Sequence, residues 1–381
     1  MKGEHAMKQI EKDDKLVTLA AVGDVALARS EWHLCLAGVK SYLQKADIGF
    51  FNCESPYAET GCPGMLPHGA AGHHPRAMPA LSEAGFNVCT LANNHTMDWG
   101  LDAIVECRER LEALGIAVCG AGRNIMEARK PAIVEKKGVK VAFLGYNSVG
   151  PNWSLAEENK PGCAMVRVHT LYEPYDYQPG TRSVGILTRA YREDLIAMED
   201  DIRRAKEQAD LVVMTNHWGI HHERAVLADY EFEVGHAAID AGADLVLGTS
   251  THILKGIEVY KGKVIAHSLA NFALETRHIS QEEGDRILTL GSLKGMRRKA
   301  TGHRDLDSNK GIILQCLLSK KKVERVNYVP VALDSDWANP TLLKSDDPGA
   351  EETFLYMDAI TREAGLNTTY HWDGDHVVVE V

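Results

Sequence analysis

No stretch of this 381-residue chain approaches the roughly 20 consecutive apolar residues that a membrane-spanning helix needs. Its opening residues, MKGEHAMKQIEKDDKL, contain no apolar leader segment either. Together these absences set the expectation of a cytoplasmic protein without a membrane partner. Positive charge is also in deficit, with 42 Lys and Arg against 53 Asp and Glu, a net charge of −11. The basic runs, SKKK at 319–322 and KGMRRK at 294–299, are short and carry no interleaved aromatics, which argues against nucleic acid as a partner. No C-x-x-C pair occurs among Cys35, Cys53, Cys62, Cys89, Cys107, Cys119, Cys163 and Cys316, and several of them lie inside apolar patterns. They read as reduced, mostly buried thiols, not as a disulfide framework or a thiolate metal site. The residues after the first apolar run, VGDVALARS, lack G-x-G-x-x-G, which excludes a Rossmann-type dinucleotide binder.

What is present is an alternation of strand-length apolar runs with helical patterns, in a chain 45% hydrophobic and 25% charged that can bury a large core. VTLAAVG, DIGFFN, NVCTLA, LVVMTN and LVLGTS read as buried strands. LDAIVECRERLEAL, AYREDLIAMEDDIRRAKEQA and DYEFEVGHAAIDAG read as the helices between them. This pattern predicts an α/β protein. Two hairpins, PAIVEKKGVKVAFLGYN and GIEVYKGKVIAHSLANF, add antiparallel character. Irregular insertions are expected at 151–183 and 282–311. The principal domain is placed at 15–335, with a helix–strand extension at 336–381 packed on it.

The chemistry-bearing residues collect just after the apolar runs. Asp24 follows VTLAAVG, Glu54 follows IGFFN, and Asn94 and His95 follow NVCTLA. His217 follows LVVMTN, His252 comes shortly after LVLG, and His267 follows KVIA. Residues beyond the carboxyl ends of parallel strands converge on one crevice in α/β proteins. Singly, each has a structural alternative, such as a helix cap for Asp24 or a hydrogen-bonded core position for His217. As a set, carboxylate and amide oxygens mixed with imidazole nitrogens suit Mn, Fe, Zn or Mg. His95, next to a potential amide ligand, has the chemistry of a general acid, and Asp98, three residues on, can either orient it or cap the following helix.

The ordered motifs also resemble a family. GDV at 23–25, NCES at 52–55, LANNHTMDWG at 91–100, NHWG at 216–219, GTSTHI…GIEVYKGK at 248–263 and HSLANF at 267–272 are similar to those of the CapA-type poly-γ-glutamate capsule synthesis proteins, a branch of the calcineurin-like metallophosphoesterases. That resemblance implies a four-layer α-β-β-α sandwich with a centre for two divalent transition ions, Mn, Fe or Zn. It implies Asp24 and His252 on one ion, Glu54 as the bridge, Asn94 and His217 on the second, and His95 as acid. Three positions depart from the pattern: Ala26 and Ser250 stand where histidines are usual, and His267 where a tyrosine is usual. His267 is therefore the expected replacement ligand, and His73, His74, His221 and His222 are further candidates. With Asn93, Trp218, Ser250 and Asn271, these four histidines also form the expected substrate-contacting set. The implied activity is hydrolysis of a phosphoester or a carbonyl-type acidic substrate by metal-activated water. A non-catalytic protein that binds poly-γ-glutamate or a related acidic metabolite is the alternative, and the oligomeric state is left open.

Overall fold

The structure is a computed structural model that describes residues 16–29, 31–61, 74–174, 184–275, 306–334 and 339–381. His73, residues 175–183 and residues 282–305 of the expected insertions lie outside these. Within the first insertion, the β-favouring VHTLYEP forms a strand, Val168–Pro174, paired antiparallel with Val184–Ala190, so this part is strand where an irregular loop was expected.

Two large sheets lie face to face. In the first, Ala117–Cys119, Val88–Thr90, Ile48–Cys53 and Val17–Ala26 run parallel in that spatial order. It continues antiparallel through Lys310–Leu318, Val323–Ala332, His376–Val379 and Tyr370–Asp373. The C-terminal hairpin is thus part of this sheet. The second sheet has the order Ile257–Tyr260, Lys263–Ala266, Leu245–Thr249, Leu211–His217, Val139–Asn147 and Ala132–Lys136, with its four middle strands parallel and an antiparallel hairpin at each edge.

The strands are apolar on both faces because both faces are covered. Alternate residues divide the core into layers. Leu19, Ala21, Ile48 and Phe50 of the first sheet meet Val141, Phe143, Val213 and Leu247 of the second. On the outer side of the first sheet, Ala20, Val22 and Phe51 pack against helices α1 (Ala37–Leu43) and α2 (Leu101–Ala113) through Val39, Leu43, Ile104 and Leu111. Behind the second sheet, Ala142, Val212, Met214 and Val246 pack against α3 (Arg192–Lys206) and α4 (Asp229–Ala241) through Met198, Ile202, Val234 and Ala238. Helix α5 (Pro348–Glu363) adds Tyr356, Met357 and Ile360 to the middle layer. This is the α-β-β-α sandwich that the motif resemblance implies. Among the described residues, no helix is long and apolar enough to cross a membrane.

Two glycines bring the strand ends together. A Cβ on Gly23 would stand 1.8 Å from the Ala270 carbonyl oxygen, and the next amide, of Asp24, donates to that same oxygen at 2.9 Å. At Gly248 a Cβ would stand 2.0 Å from the His267 carbonyl oxygen and 2.3 Å from Trp218 Nε1. Neither position accepts a side chain.

The rings of Phe50 and Phe143 stack across the middle layer, with centroids 5.6 Å apart and planes 7° from parallel. Phe143→Ala should cost roughly 3–5 kcal/mol, the usual range for removing a buried aromatic and leaving a cavity. Urea unfolding monitored by circular dichroism measures it; a loss below about 1 kcal/mol would show that the two sheets do not depend on this contact.

Candidate metal centre

The carboxyl ends of the parallel strands in both sheets meet at one edge of the middle layer. Asp24 lies at a register irregularity near the end of Val17–Ala26, which leaves Val25 on the helix-facing side. Asn52 and Glu54 continue the inward parity of Ile48 and Phe50, and His217 that of Leu211 and Val213. Asp24, Glu54 and His217 are buried and each offers one donor atom within 4.8 Å of the others. Asn94 closes the group, its Oδ1 2.8 Å from His217 Nε2.

Asn52, which sequence reasoning passed over, organises this set. Its Nδ2 donates to Asp24 Oδ1 at 2.7 Å and lies 3.3 Å from His217 Nδ1, while its Oδ1 accepts from Asn93 Nδ2 at 3.1 Å. The signal was available: an amide two residues before Glu54 in a strand shares its face. Thr249 Oγ1 lies closer to the same nitrogen, 3.0 Å from His217 Nδ1, and accepts its proton. With the Nδ1 proton donated to Thr249, Nε2 and Asn94 Oδ1 face each other as two acceptors. Their separation is close to the ~3 Å expected of neighbouring ligands on an ion with bonds of about 2.1 Å.

The electrostatics of the centre leave a positive charge unsupplied. Both carboxylate oxygens of Glu54 are buried and, among the described residues, have no hydrogen-bond partner. Burial, then the nearby Asp24 and Asp98, pushes the Glu54 carboxyl well above its ordinary range. Burial lifts Asp24 to about 7 against the lowering pull of Asn52 and the Ser250 amide. His217 cannot balance them by protonation. Burial, reinforced by His252, His95 and His221, holds its pKa well below the ordinary value, so its 3.7 Å approach to Glu54 is not an ion pair. Two acids driven toward neutrality beside an imidazole that cannot charge form a donor set suited to a divalent cation.

His95 stands beside this group, partly exposed. Its Nδ1 lies 2.6 Å from Asp98 Oδ2 and its Nε2 lies 3.3 Å from Asn94 Nδ2. The loop is held by Asn93, whose Oδ1 accepts the His95 amide at 3.0 Å and whose Nδ2 also donates to the Cys53 carbonyl at 2.8 Å. Asn93 is buried and committed to these bonds, so it positions the loop. Asp98 orients His95 and makes no side-chain cap for α2, whose N-cap residue is Gly100.

On the far side, His252 Nδ1 lies 2.9 Å from Asn271 Oδ1, which directs Nε2 away from that amide. Burial, with His221 and His222 adding to it, pushes His252 down to about 3. Ser250, at φ +96°, and His252, at φ +61°, occupy a backbone region that side-chain-bearing residues rarely adopt, a strain common at functional sites.

Three expected site residues belong elsewhere. His267 continues the parity of Ile265, which faces the helices, and its nitrogens address Glu258 (Nε2 to Oε2, 3.1 Å) and Glu231 (Nδ1 to Oε1, 3.8 Å). Burial would lower its pKa, but the two carboxylates outweigh that and raise it. Trp218, one residue past His217, falls on the same outer face; it is fully buried and donates Nε1 to the His267 carbonyl at 2.8 Å. His74 is exposed and accepts the Arg76 amide at 3.1 Å as the cap of a short helical turn.

Comparison with known proteins identifies the family. Residues 18–276 match the family model described as "Bacterial capsule synthesis protein PGA_cap". The chain is 30% identical over 200 residues to a protein of Bacillus subtilis named "PGA biosynthesis protein CapA", a match covering 52% of this chain and 45% of that one. It is 30% identical over 217 residues to a Mycobacterium tuberculosis protein named "Probable polyglutamine synthesis accessory protein", covering 56% and 52%. The chain therefore spans about half the length of these relatives. A solved calcineurin-like phosphoesterase, YfkN of Bacillus subtilis, superposes over 92% of this chain and 97% of that one, with 11% identity and a TM-score of 0.43. The family match extends from the first buried strand to the residue after Glu275 and takes in every residue of the centre, so this chain belongs to the bacterial capsule synthesis protein family PGA_cap.

Proposed function

We propose that the chain is a metal-dependent hydrolase acting on an acidic substrate with a phosphoester or carbonyl-type bond. The observation that carries this reading is Glu54: two buried, unpartnered carboxylate oxygens beside Asp24, His217 and Asn94, with a histidine–aspartate pair next to them. Asp24, Glu54, Asn94, His217 and His252 would hold divalent cations, two of them if the centre is filled as in the family pattern. Cations there supply Lewis acidity and lower the pKa of water.

The protein's own residues then divide the work. Asp98 fixes His95 through Nδ1, leaving Nε2 to deliver a proton to a departing group. Asn52 and Thr249 hold Asp24 and His217 in place, so that little rearrangement accompanies cation entry. A second reading is a binding protein for poly-γ-glutamate or a related acidic metabolite. It is favoured by the relatives' names, which describe biosynthesis and accessory roles, and by Ala26 and Ser250, which remove two donors from the family pattern.

His95→Ala separates the two readings. The hydrolase reading expects unchanged metal content and a turnover of a generic phosphodiester or γ-glutamyl amide lowered by roughly 10²–10⁴. Loss of metal would make His95 a ligand; wild-type protein inactive on every such substrate when loaded with Mn, Fe or Zn would favour the binder.

The metal-free protein should also lose stability with rising pH. Asp24 and Glu54 have folded-state pKa values raised above those of the unfolded chain. Their contribution is therefore fully present below about pH 4 and is lost as pH rises through the folded values, about 7 for Asp24 and higher than the ordinary range for Glu54. Melting curves in chelator between pH 5 and 8 should show this decline. Glu54→Gln should flatten it, and added Mn²⁺ should reverse it for wild type but not for the variant. A melting temperature independent of both pH and metal would contradict the charge assignment.

A further inference from the structure

Ser250 comes directly after the strand Leu245–Thr249, buried, with its amide 3.3 Å from Asp24 Oδ2. A serine hydroxyl stops one atom beyond Cβ, short of any position that a longer side chain would reach from there. Another residue approaches from the opposite direction. His221, in the loop after His217, places Nε2 3.0 Å from Ser250 Oγ.

The same ring lies beside His252, with centroids 5.1 Å apart and planes at 71°. For metal–nitrogen bonds of about 2.1 Å, with each ring centre roughly 1.1 Å behind its nitrogen, two imidazoles on one tetrahedral ion sit about 5 Å apart. His252 is already oriented by Asn271 through Nδ1, the outer hydrogen bond that ligating histidines usually make.

The loop carrying His221 is pinned to the segment carrying His252. The His222 amide donates to the Thr251 carbonyl at 3.0 Å, and the buried Lys255 donates to the carbonyls of Glu223 and, at 3.0 Å, Val226. The backbones on both sides are therefore held, with the two rings 5.1 Å apart between them. A separate feature that suits a cation is close by: among the described residues, the buried oxygens of Glu54, next to Asp24, which Ser250 contacts, have no hydrogen-bond partner.

We propose that His221 is a ligand of the divalent cation that His252 holds, and that it places an imidazole beside Ser250, which itself offers only a hydroxyl. The inference rests on the metal-centre reading above and concerns which of this chain's own residues complete it. It also replaces His267, whose nitrogens are turned to Glu231 and Glu258, as the compensating ligand.

The test is titration of the metal-free full chain with Mn²⁺ alone, by calorimetry, with bound metal counted by elemental analysis after dialysis. Wild type should show two binding events. His221→Ala should show one, with the remaining event changed by less than about threefold. His221→Gln, which can keep a hydrogen bond to Ser250 while removing the imidazole, should behave the same and guards against simple misfolding. Moving the imidazole across, in the double variant His221→Ala with Ser250→His, should restore the second event. Two events in either His221 variant, or no recovery in the double variant, would overturn the proposal. One event in both wild type and His221→Ala would also overturn it, leaving a single-ion centre intact. No event in wild type would instead reject the metal-centre reading itself.

Discussion

A buried carboxylate with nothing to neutralise it is the constraint around which this end of the molecule is arranged. Glu54 follows directly from a strand whose preceding residues are wholly buried, so its side chain has no route to water, and neither oxygen finds a donor. A protein that needed only stability would replace such a group with an apolar one at no loss. Keeping it makes sense where a ligand supplies the missing charge. The neighbouring groups follow the same logic, since Asp24 receives only an amide hydrogen bond and one backbone N–H, and His217 is kept neutral.

The support for this centre lies in backbone contacts. Gly23 lets the first strand touch Ala270, and Gly248 lets the strand before Ser250 touch the His267 carbonyl, which Trp218 also holds. Both contacts join a ligand-bearing strand to the 267–271 segment, whose Asn271 orients His252. His267 thus matters through its main chain, while its side chain forms a separate buried cluster with Glu258 and Glu231. That cluster explains how a histidine can stand where the family pattern has a tyrosine without joining the centre.

Family membership and the geometry point to different weightings of chemistry and binding. Relatives carry names of biosynthesis and accessory proteins, and the chain covers about half of their length. The centre nevertheless retains an oriented histidine–aspartate pair beside a cation-seeking triad, an arrangement that a passive binder does not require.

The sequence by itself determined the alternation of strands and helices, both edge hairpins, and which residue types stand at the strand ends. Those features are local: hydrophobic period, turn residues and the end of each apolar run are read within ten or so residues. It also placed Asp24, Glu54, Asn94, His217 and His95 in one neighbourhood, because parallel strands deliver their carboxyl ends to one edge. Only the tertiary structure decided which way the side chains turn there. In strands covered on both sides, His217 and Trp218 look alike by pattern, and so do Ile265 and His267 against Val264 and Ala266, because both faces are apolar. The middle layer claims Leu211 and Val213, hence His217; the helical side claims Val212, Met214 and Ile265, hence Trp218 and His267. The sequence offered His221 as one of several candidate replacements; its meeting with Ser250, 29 residues away in the chain, depends on the path of a loop and on two strands packed side by side.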